Sequence, residues 1–255
     1  MNKRWSKIIE IVDEKKKVNV IDLANLLNVS EVTIRKDLTR LANSGILIRE
    51  HGYALKKDDA DIRNRMSAKF STKSKIARKA MEMIGESETV MIGAGSTCAL
   101  LAEEIAENKP KVTIITHSSY IAEHVTSVGN NTIILLGGVY QNNSQVNVGP
   151  LVDICAREFY VDKIFIGTDG FEKDVGFMGS DILRSEAIQT MSESARQTIM
   201  LTDSSKFQKR GTIVQFKPFD ISTLITDDGI SQDLIDYFKR YRIQTILVKR
   251  EEENN

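Results

Sequence analysis

Val29-Ser30-Glu31-Val32-Thr33-Ile34-Arg35-Lys36-Asp37-Leu38 is the stretch that decides the fold of the first part of the chain. Its apolar residues Ile34 and Leu38, with Leu41 after them, are spaced i, i+4 and i+7 and share one helix face. At about 100° per residue, the opposite face carries hydroxyls, cations and methyl groups, from Val32, Thr33, Lys36, Thr39 and Arg40, with Arg35 at its margin. One face can pack on a small core while the other enters a DNA groove, which predicts the second helix of a helix-turn-helix.

The residues before this stretch predict two more helices. Apolar spacing over residues 5–12 predicts a first amphipathic helix. Asn19 is placed to cap a short second helix over 21–27, and Ser30 is placed to cap the third helix. A short helix, a tight turn and a basic helix follow one another in the order of a helix-turn-helix. The alternative is three helices that merely pack together with their charges in solvent.

The residues after the third helix predict a β-hairpin. Gly45 is expected to end the helix. Residues 46–48 and 53–55 are predicted to form two strands joined by a turn. This hairpin makes the first domain a winged helix, with Arg49 and His51 near the wing tip, within reach of DNA phosphates.

The charge of the chain is unevenly distributed. Its net charge is zero, but residues 1–57 hold 12 Lys/Arg and 7 Asp/Glu and are therefore basic. Residues 58–255 hold 23 Lys/Arg and 28 Asp/Glu and are therefore acidic. A basic head on an acidic body is typical of a nucleic-acid-binding domain attached to another domain. We therefore predict a winged helix-turn-helix domain at 1–57, a linker and connecting helix at 58–86, and an α/β effector-binding and oligomerisation domain at 87–255.

The composition excludes several classes of protein. Apolar residues make up 41% of the 255 residues and charged residues 27%, as in a soluble globular protein. No apolar run approaches the roughly 20 residues of a membrane span. Acidic residues interrupt the apolar residues near the N-terminus, so the sequence does not predict a secretory signal. Cys98 and Cys155 lack metal-ligand spacing. We expect a cytoplasmic protein that needs no metal or cofactor and no membrane.

The head resembles the N-terminal domain of the DeoR family of bacterial transcription regulators. The resemblance rests on residues 30–38, Gly45, Arg49 and the pair His51-Gly52. It implies contacts with double-stranded operator DNA. The predicted DNA-binding residues are Ser30, Val32, Thr33, Arg35, Lys36, Thr39, Arg40, Arg49 and His51.

The head departs from that family at two positions. Lys36 stands where the family usually has a second arginine, and Tyr53 where it usually has a second glycine. Lysine keeps the charge but lacks the bidentate fork of arginine, which favours a phosphate contact over a base contact. Tyr53 is expected to alter the wing without abolishing it.

The body alternates short apolar runs with helical segments. Seven runs are predicted as strands, at 89–92, 112–115, 132–136, 163–166, 198–201, 223–225 and 245–248. Helical patterns lie between most of them, as at 99–107 and 234–241. This order predicts a Rossmann-like α/β domain with a mostly parallel sheet. Ligands of such sheets bind beyond the carboxyl ends of the strands.

Small and polar residues follow the first five predicted strands. Gly93-Ala94-Gly95-Ser96-Thr97 precedes a helix and offers N–H and hydroxyl donors to an anion. Cys98 stands where a dinucleotide-binding loop has its third glycine, and a Walker lysine is absent. The later loops are Thr116-His117-Ser118, Gly137-Gly138, Gly167-Thr168-Asp169-Gly170 and Asp203-Ser204-Ser205-Lys206. Each loop alone reads as ordinary; together they predict a phosphorylated, hydroxylated ligand, with Asp169 accepting from sugar hydroxyls and Lys206 neutralising charge.

The body also resembles the C-terminal effector domain of the DeoR family, which is similar in fold to phosphopentose isomerases. The matching segments are 93–97, 169–170, Leu183-Arg184-Ser185-Glu186 and 203–207. The resemblance implies a repressor controlled by a phosphorylated sugar or sugar alcohol. The predicted effector-binding residues are Gly93, Ala94, Gly95, Ser96, Thr97, Thr116, His117, Ser118, Gly137, Gly138, Asp169, Gly170, Arg184, Glu186 and Lys206.

Three functions compete at this point. The first is a ligand-controlled DNA-binding regulator, which is not an enzyme. The second is an aldose–ketose phosphate isomerase with an added DNA-binding domain, using Asp169, Glu186 and Lys206. The run at 175–179 is thin in glycine and lacks the lysine that such isomerases carry, and Ser185 separates the arginine from the glutamate. The third is a constitutive DNA-binding protein whose body only oligomerises.

Helix-turn-helix heads usually act in pairs on DNA half-sites. We therefore expect a homodimer or homotetramer. The helices at 150–159 and 231–241 are the candidates for its contacts.

Overall fold

A computed structural model describes residues 3–43, 47–56 and 62–250 and divides the chain into two compact units, 1–70 and 71–255. Gly45, Ile46 and most of the charged hinge at 56–59 lie outside the described residues. The predicted connecting segment contributes to both units, because its first helix belongs to unit 1 and most of its second helix to unit 2.

Unit 1 is a winged helix. Its elements in chain order are α1 (Lys3–Lys15), β1 (Lys17–Asn19), α2 (Val20–Leu27), α3 (Glu31–Asn43), β2 (Leu47–Glu50), β3 (Tyr53–Lys56) and α4 (Ile62–Ser67). The predicted apolar face of α3 is confirmed, since Ile34, Leu38 and Leu41 are fully buried in the core with Ile8 and Leu23.

The caps of the two helices follow the sequence prediction. The Asn19 side chain accepts a hydrogen bond from the Asp22 N–H at 2.7 Å and so begins α2. Asn28 ends α2 in the left-handed conformation, at φ 51° and ψ 48°. Ser30 Oγ accepts from the Thr33 N–H at 3.2 Å at the start of α3. These caps set the tight turn between the two helices.

The wing has one strand more than predicted. β3 pairs with β2 and also with β1, antiparallel in both cases, with Val18 opposite Ala54. α1 ends at Lys15, and Lys17 begins β1, a strand that the sequence analysis did not predict. A three-residue strand is too short to show a period of two, and its partner β3 lies more than 30 residues further on.

The body, unit 2, contains the predicted Rossmann-like sheet. Its strands are β4 (Thr89–Ile92), β5 (Thr113–Thr116), β6 (Thr132–Leu135), β7 (Val139–Gln141), β8 (Val146–Val148), β9 (Val161–Ile166), β10 (Gly170–Glu172), β11 (Gly176–Gly179), β12 (Ala195–Leu201), β13 (Ile213–Phe216), β14 (Thr223–Asp227) and β15 (Gln244–Val248). Seven of them form one parallel sheet in the order β15-β14-β12-β9-β4-β5-β6, and these are the seven predicted strands.

Helices cover this sheet and complete the core. They are α5 (Phe70–Met81), α6 (Ser96–Asn108), α7 (Ser119–Val128), α8 (Pro150–Arg157), α9 (Ile182–Glu193) and α10 (Gln232–Arg240), with two short 3-10 helices at Ser204–Gln208 and Pro218–Asp220. α5 buries its apolar residues Ile76, Ala77 and Ala80. Among the described residues, no helix has both the length and the apolar composition that a membrane span requires.

Two small antiparallel sheets were not predicted. β7 and β8 form a hairpin, and β10, β11 and β13 form a three-stranded sheet. Their strands have three or four residues, so the sequence has no long alternation to reveal them. The hairpin places Gln141 and Asn147 near the carboxyl ends of the parallel strands. Ser180, the residue after β11, lies there as well.

Candidate DNA interface and ligand site

The predicted DNA-reading face of α3 is exposed. Val32, Arg35, Lys36, Thr39 and Arg40 all lie on the surface of the helix. Thr33, at the first turn, is half-buried. This face therefore has the cations, hydroxyls and methyl groups that a DNA groove can contact.

Several of these side chains are already held in place. Arg35 forms an ion pair with Glu31 one turn earlier, at 2.8 Å. The Thr39 hydroxyl donates to the Arg35 carbonyl at 2.7 Å and accepts from Arg49 Nη1 at 2.7 Å. Arg49 of strand β2 thus ties the wing to α3, a role that the sequence did not reveal.

The wing tip is a two-residue turn at His51 and Gly52. Both have positive φ, 44° and 85°, as type I′ hairpin turns require. Tyr53 does not disturb this turn, because it begins β3 and its ring packs under Lys17 Nζ at 4.4 Å from the centroid. His51 is exposed at the tip, as predicted.

A buried carboxylate clamps α1 to α3. Asp37 is only 3% exposed and accepts from Arg4 Nε at 2.6 Å and Trp5 Nε1 at 2.8 Å. Burial alone raises the pKa of this carboxyl, but hydrogen bonds from Arg4 and Trp5 hold it below its ordinary value. The sequence reading gave Asp37 no role, although the residue stands between Ile34 and Leu38 on the buried face.

In the body, the predicted loops follow neighbouring strands. The parallel strands β12, β9, β4, β5 and β6 are adjacent in that order, so their carboxyl ends share one edge of the sheet. We call this edge, with the loops that follow the five strands, the carboxyl edge. β4 lies between β9 and β5, where the chain order of the strands changes direction, the usual ligand position in such sheets.

The glycine-rich loop after β4 ends at the start of α6. Gly95 is the N-cap with φ 119°, a conformation that residues other than glycine rarely adopt, and within the described part of the chain no side-chain hydrogen bond caps the helix there. Ser96 and Thr97 begin α6 and are nearly buried. Gly93 has a separate role, because an added Cβ would come within 2.5 Å of Ile188 Cδ1 on α9. The loop thus leaves backbone N–H groups at the carboxyl edge, suited to an anion.

Thr116 and Ser118, predicted to contact the effector, have hydroxyls used by the local backbone. Thr116 Oγ1 accepts from the Ser118 N–H at 3.1 Å. Ser118 Oγ accepts from the Ile121 N–H at 3.3 Å and caps α7. Both residues are fully buried, which suits a structural role in the loop.

His117, between them, is 1% exposed. Its Nδ1 lies 3.0 Å from the Asn147 carbonyl oxygen. Its Nε2 is buried and has no hydrogen-bond partner within the described part of the chain. Burial lowers the pKa of His117 to about 4, and the charge of Arg184 also lowers it, although the hydrogen bond with Asn147 opposes the change.

Asn147 of the unpredicted hairpin links two of the loops. Its backbone N–H donates to the His117 carbonyl at 2.8 Å, and its side-chain amide donates to the Leu136 carbonyl at 2.7 Å. Gly138 is required by packing, because a Cβ there would lie 2.7 Å from the Val148 carbonyl oxygen. Gly137 has open space around its Cα.

A chain of polar contacts joins Asp169 to Arg184. Ser180 Oγ donates to Asp169 Oδ2 at 2.7 Å and accepts from Arg184 Nη2 at 3.1 Å. Asp181 caps α9 by accepting from the Arg184 N–H, and Gln141 Nε2 lies 3.4 Å from its carboxylate. The sequence reading missed Ser180 and Gln141, while Ser180-Asp181 just before a helix is a detectable capping signal.

Three other predicted residues have different surroundings. Glu186 is exposed, and it lies about 200° around α9 from Arg184, so these two predicted effector-binding residues do not share a face of the helix. Gly170 is required for packing, because a Cβ would collide with the Lys209 carbonyl. Lys206 is half-buried in the 3-10 helix that follows β12, and that helix contacts β10.

A winged helix with an exposed cationic reading helix and an α/β unit with a polar carboxyl edge define a two-part, DNA-binding transcriptional regulator. The chain belongs to the DeoR family. Residues 4–59 match the DeoR-like helix-turn-helix domain, and residues 68–228 match the DeoR C terminal sensor domain.

Curated relatives match nearly the whole chain. The L-fucose operon activator of Haemophilus influenzae is 28% identical over 97% of this chain and 100% of its own length. The HTH-type transcriptional regulator GolR of Listeria innocua is 29% identical over 96% of this chain and 97% of its own length. The lactose phosphotransferase system repressor of Streptococcus mutans is 27% identical over 88% of this chain and 91% of its own length.

Solved structures resemble part of the chain. Ribose 5-phosphate isomerase A from Methanocaldococcus jannaschii is 20% identical, covers 55% of this chain and 55% of its own, and has a TM-score of 0.41.

Proposed function

We propose that this protein represses an operon for the use of a sugar or sugar alcohol, and that a phosphorylated form of that compound binds the carboxyl edge and controls DNA binding. The observation that carries the proposal is the uncapped α6 N-terminus beside a polar network, at the point where the strand order changes direction. Relatives named as an L-fucose operon activator and as a lactose phosphotransferase system repressor support the control of sugar use, and the second supports repression.

The DNA contacts are assigned to α3 and the wing. Base edges are contacted by the exposed side chains of Val32, Arg35 and Thr39. Lys36 and Arg40 neutralise phosphates from the same helix. Ser30, Thr33, Arg49 and His51 complete the predicted interface, the first three with hydrogen bonds that also order the reading surface.

The effector contacts are assigned by chemistry. The N–H groups and hydroxyls of residues 95–97 donate to the phosphate. Arg184 and Lys206 neutralise its charge, and Asp169 accepts from sugar hydroxyls. By linkage, an effector that weakens DNA binding must bind the DNA-released state more tightly than the DNA-bound state.

The protein is proposed to bind its effector without converting it. Isomerisation needs a base positioned at the carbon that loses a proton. Glu186 is exposed and lies about 200° around α9 from Arg184, so one face of this helix does not present a base and a cation together. Turnover of aldose and ketose phosphates by the purified chain, at a rate above the uncatalysed reaction, would support the isomerase instead.

The protein is proposed to act as a homodimer or homotetramer. Leu151 and Ile154 on α8 are each 59% exposed and are spaced i, i+3, so this helix has an apolar outer face. The other candidate helix, α10, buries Tyr237 and Phe238 in its own unit. We therefore favour α8 as the contact. Light scattering of wild type and Leu151→Glu tests it: a monomeric wild type contradicts the proposal.

Fluorescence anisotropy tests the function as a whole. The purified chain is titrated onto labelled DNA from upstream of its own gene, at fixed salt, with and without a panel of sugar and polyol phosphates. We expect tight, sequence-selective binding that one ester weakens. Binding that no ester alters would favour a constitutive DNA-binding protein, and no preference over random DNA would contradict the regulator.

A further inference from the structure

His117 has one ring nitrogen satisfied and one unsatisfied, at the centre of the carboxyl edge. Nδ1 lies 3.0 Å from the Asn147 carbonyl oxygen, which can only accept a hydrogen bond. The hydrogen of the neutral ring is therefore on Nδ1, and Nε2 is left with a lone pair. Nε2 is buried without a hydrogen-bond partner among the described residues. A buried acceptor without a partner destabilises the fold, and a ligand that donates a hydrogen bond would remove this cost.

Arg184 supplies a second unsatisfied group close by. Its Nε is buried and makes no hydrogen bond in the described ranges, although it forms an ion pair with Asp181 Oδ1 at 3.7 Å. Its Nη2 donates to Ser180 Oγ at 3.1 Å. Its charge is near enough to His117 to help to keep the imidazole neutral. An acceptor in the loop after β5 and a donor at the start of α9 thus have no hydrogen-bond partner among the described residues, although the arginine keeps its ion pair with Asp181.

The chemistry of these two groups selects their ligand. A phosphate dianion has no hydrogen to donate to a neutral imidazole nitrogen. An ammonium group could donate, but the neighbouring Arg184 guanidinium repels a cation. A hydroxyl can donate to His117 Nε2 and also accept from an arginine, so it matches both unsatisfied groups.

We propose that His117 Nε2 accepts a hydrogen bond from one hydroxyl of the effector, and that this contact makes the sensor domain distinguish a hydroxylated phosphate ester from its deoxy analogue. The inference rests on the proposed function, since it assigns a specificity residue within the same site. Because Nε2 is buried, the hydroxyl reaches it only when a neighbouring side chain moves. Arg184, whose side chain is about a quarter exposed, is the charged neighbour that the proposal requires to move.

Isothermal titration calorimetry on the full chain tests the inference. The ligands are glucose 6-phosphate, ribose 5-phosphate and sorbitol 6-phosphate, then each monodeoxy analogue of the ester that binds, and inorganic phosphate. In the wild type, we expect removal of one particular hydroxyl to weaken binding about tenfold to a hundredfold. In His117→Phe, which has no acceptor, the ester and that analogue should bind equally.

Two further variants separate recognition from folding. His117→Gln places an amide oxygen near the position of Nε2 and should restore part of the discrimination. His124→Phe is the control: it removes a half-buried imidazole in the middle of α7 whose Nε2 already contacts Glu103, and it should leave discrimination unchanged. DNA binding without effector should be the same in all four proteins.

The outcomes distinguish the two proposals. If the wild type binds an ester and His117→Phe keeps its full preference over every deoxy analogue, the role of His117 is wrong while the proposed function stands. If the wild type binds none of the esters, the sugar-phosphate proposal fails and the inference fails with it. The inference is supported if His117→Phe is the only variant that binds the ester and its deoxy analogue equally, and if His117→Gln regains part of the preference for the ester.

Discussion

Replacing Asp37 with asparagine should unfold the DNA-binding head more easily. The carboxylate receives hydrogen bonds from Arg4 Nε and Trp5 Nε1 at 2.6 and 2.8 Å. An asparagine has one acceptor oxygen, and its NH₂ group would face one of these donors instead. The helix α1 would then lose the ion pair and one of these hydrogen bonds to α3.

The size of the effect follows from burial. Breaking a fully buried ion pair costs about 3–5 kcal/mol, and a hydrogen bond to a charged group contributes about 1.5–3 kcal/mol. Asp37 is buried, but the Arg4 side chain is 34% exposed and can be solvated when it loses its partner. We therefore expect Asp37→Asn to lower the free energy of unfolding of the head by about 2 kcal/mol.

Trp5 makes this measurement specific to the head, because it is the one tryptophan of the chain. Urea denaturation followed by its fluorescence reports unit 1 alone. With a slope of about 1 kcal/mol/M for a small domain, the midpoint should fall by about 2 M. The matched control is Asp22→Asn, an exposed carboxylate on α2. A Trp5 midpoint within about 0.3 M of wild type would refute the clamp.

The same carboxylate should make the head sensitive to acid. Its pKa is lowered in the folded state, so its stabilisation is complete above the unfolded value of about 3.9 and is lost as the pH falls through the folded value. The difference in midpoint between wild type and Asp37→Asn should therefore be constant near neutral pH and shrink below about pH 4. A difference that grows in acid would contradict this sign.

Three further predictions concern DNA, effector and body. Arg35→Ala should weaken binding to the specific DNA by about 1–3 kcal/mol if the guanidinium contacts a base, and should weaken binding to all sequences by less if it contacts phosphate. Fluorescence anisotropy on cognate and scrambled DNA distinguishes these cases. Unchanged binding to both DNAs would show that Arg35 is not part of the interface. Ser96→Asp should abolish the effector response by repelling phosphate while DNA affinity without effector stays the same, and an intact response would exclude the α6 N-terminus as the phosphate site. Ser118→Ala should cost about 1 kcal/mol of body stability through the lost α7 cap, measured by calorimetry, with the exposed Ser127→Ala as control; equal effects of the two would refute the capping role.

Local periodicity explains what was predictable. The face of α3 with Ile34 and Leu38, and the seven parallel strands, follow from patterns that repeat within a few residues. Because parallel strands point the same way, the positions of the loops after them at one edge followed as well. The DNA-binding and effector-binding assignments made from these patterns stay predictions.

The sequence by itself thus determined a winged helix followed by a Rossmann-like sheet with polar loops at its carboxyl edge. Only the tertiary structure decided that Asp37 clamps α1 and that Asn147 holds His117 from a short hairpin. Periodicity reports which face of an element is buried, whereas these contacts join residues 30 or more positions apart. Such contacts are set by packing and by the need to satisfy buried polar groups, which no local pattern records.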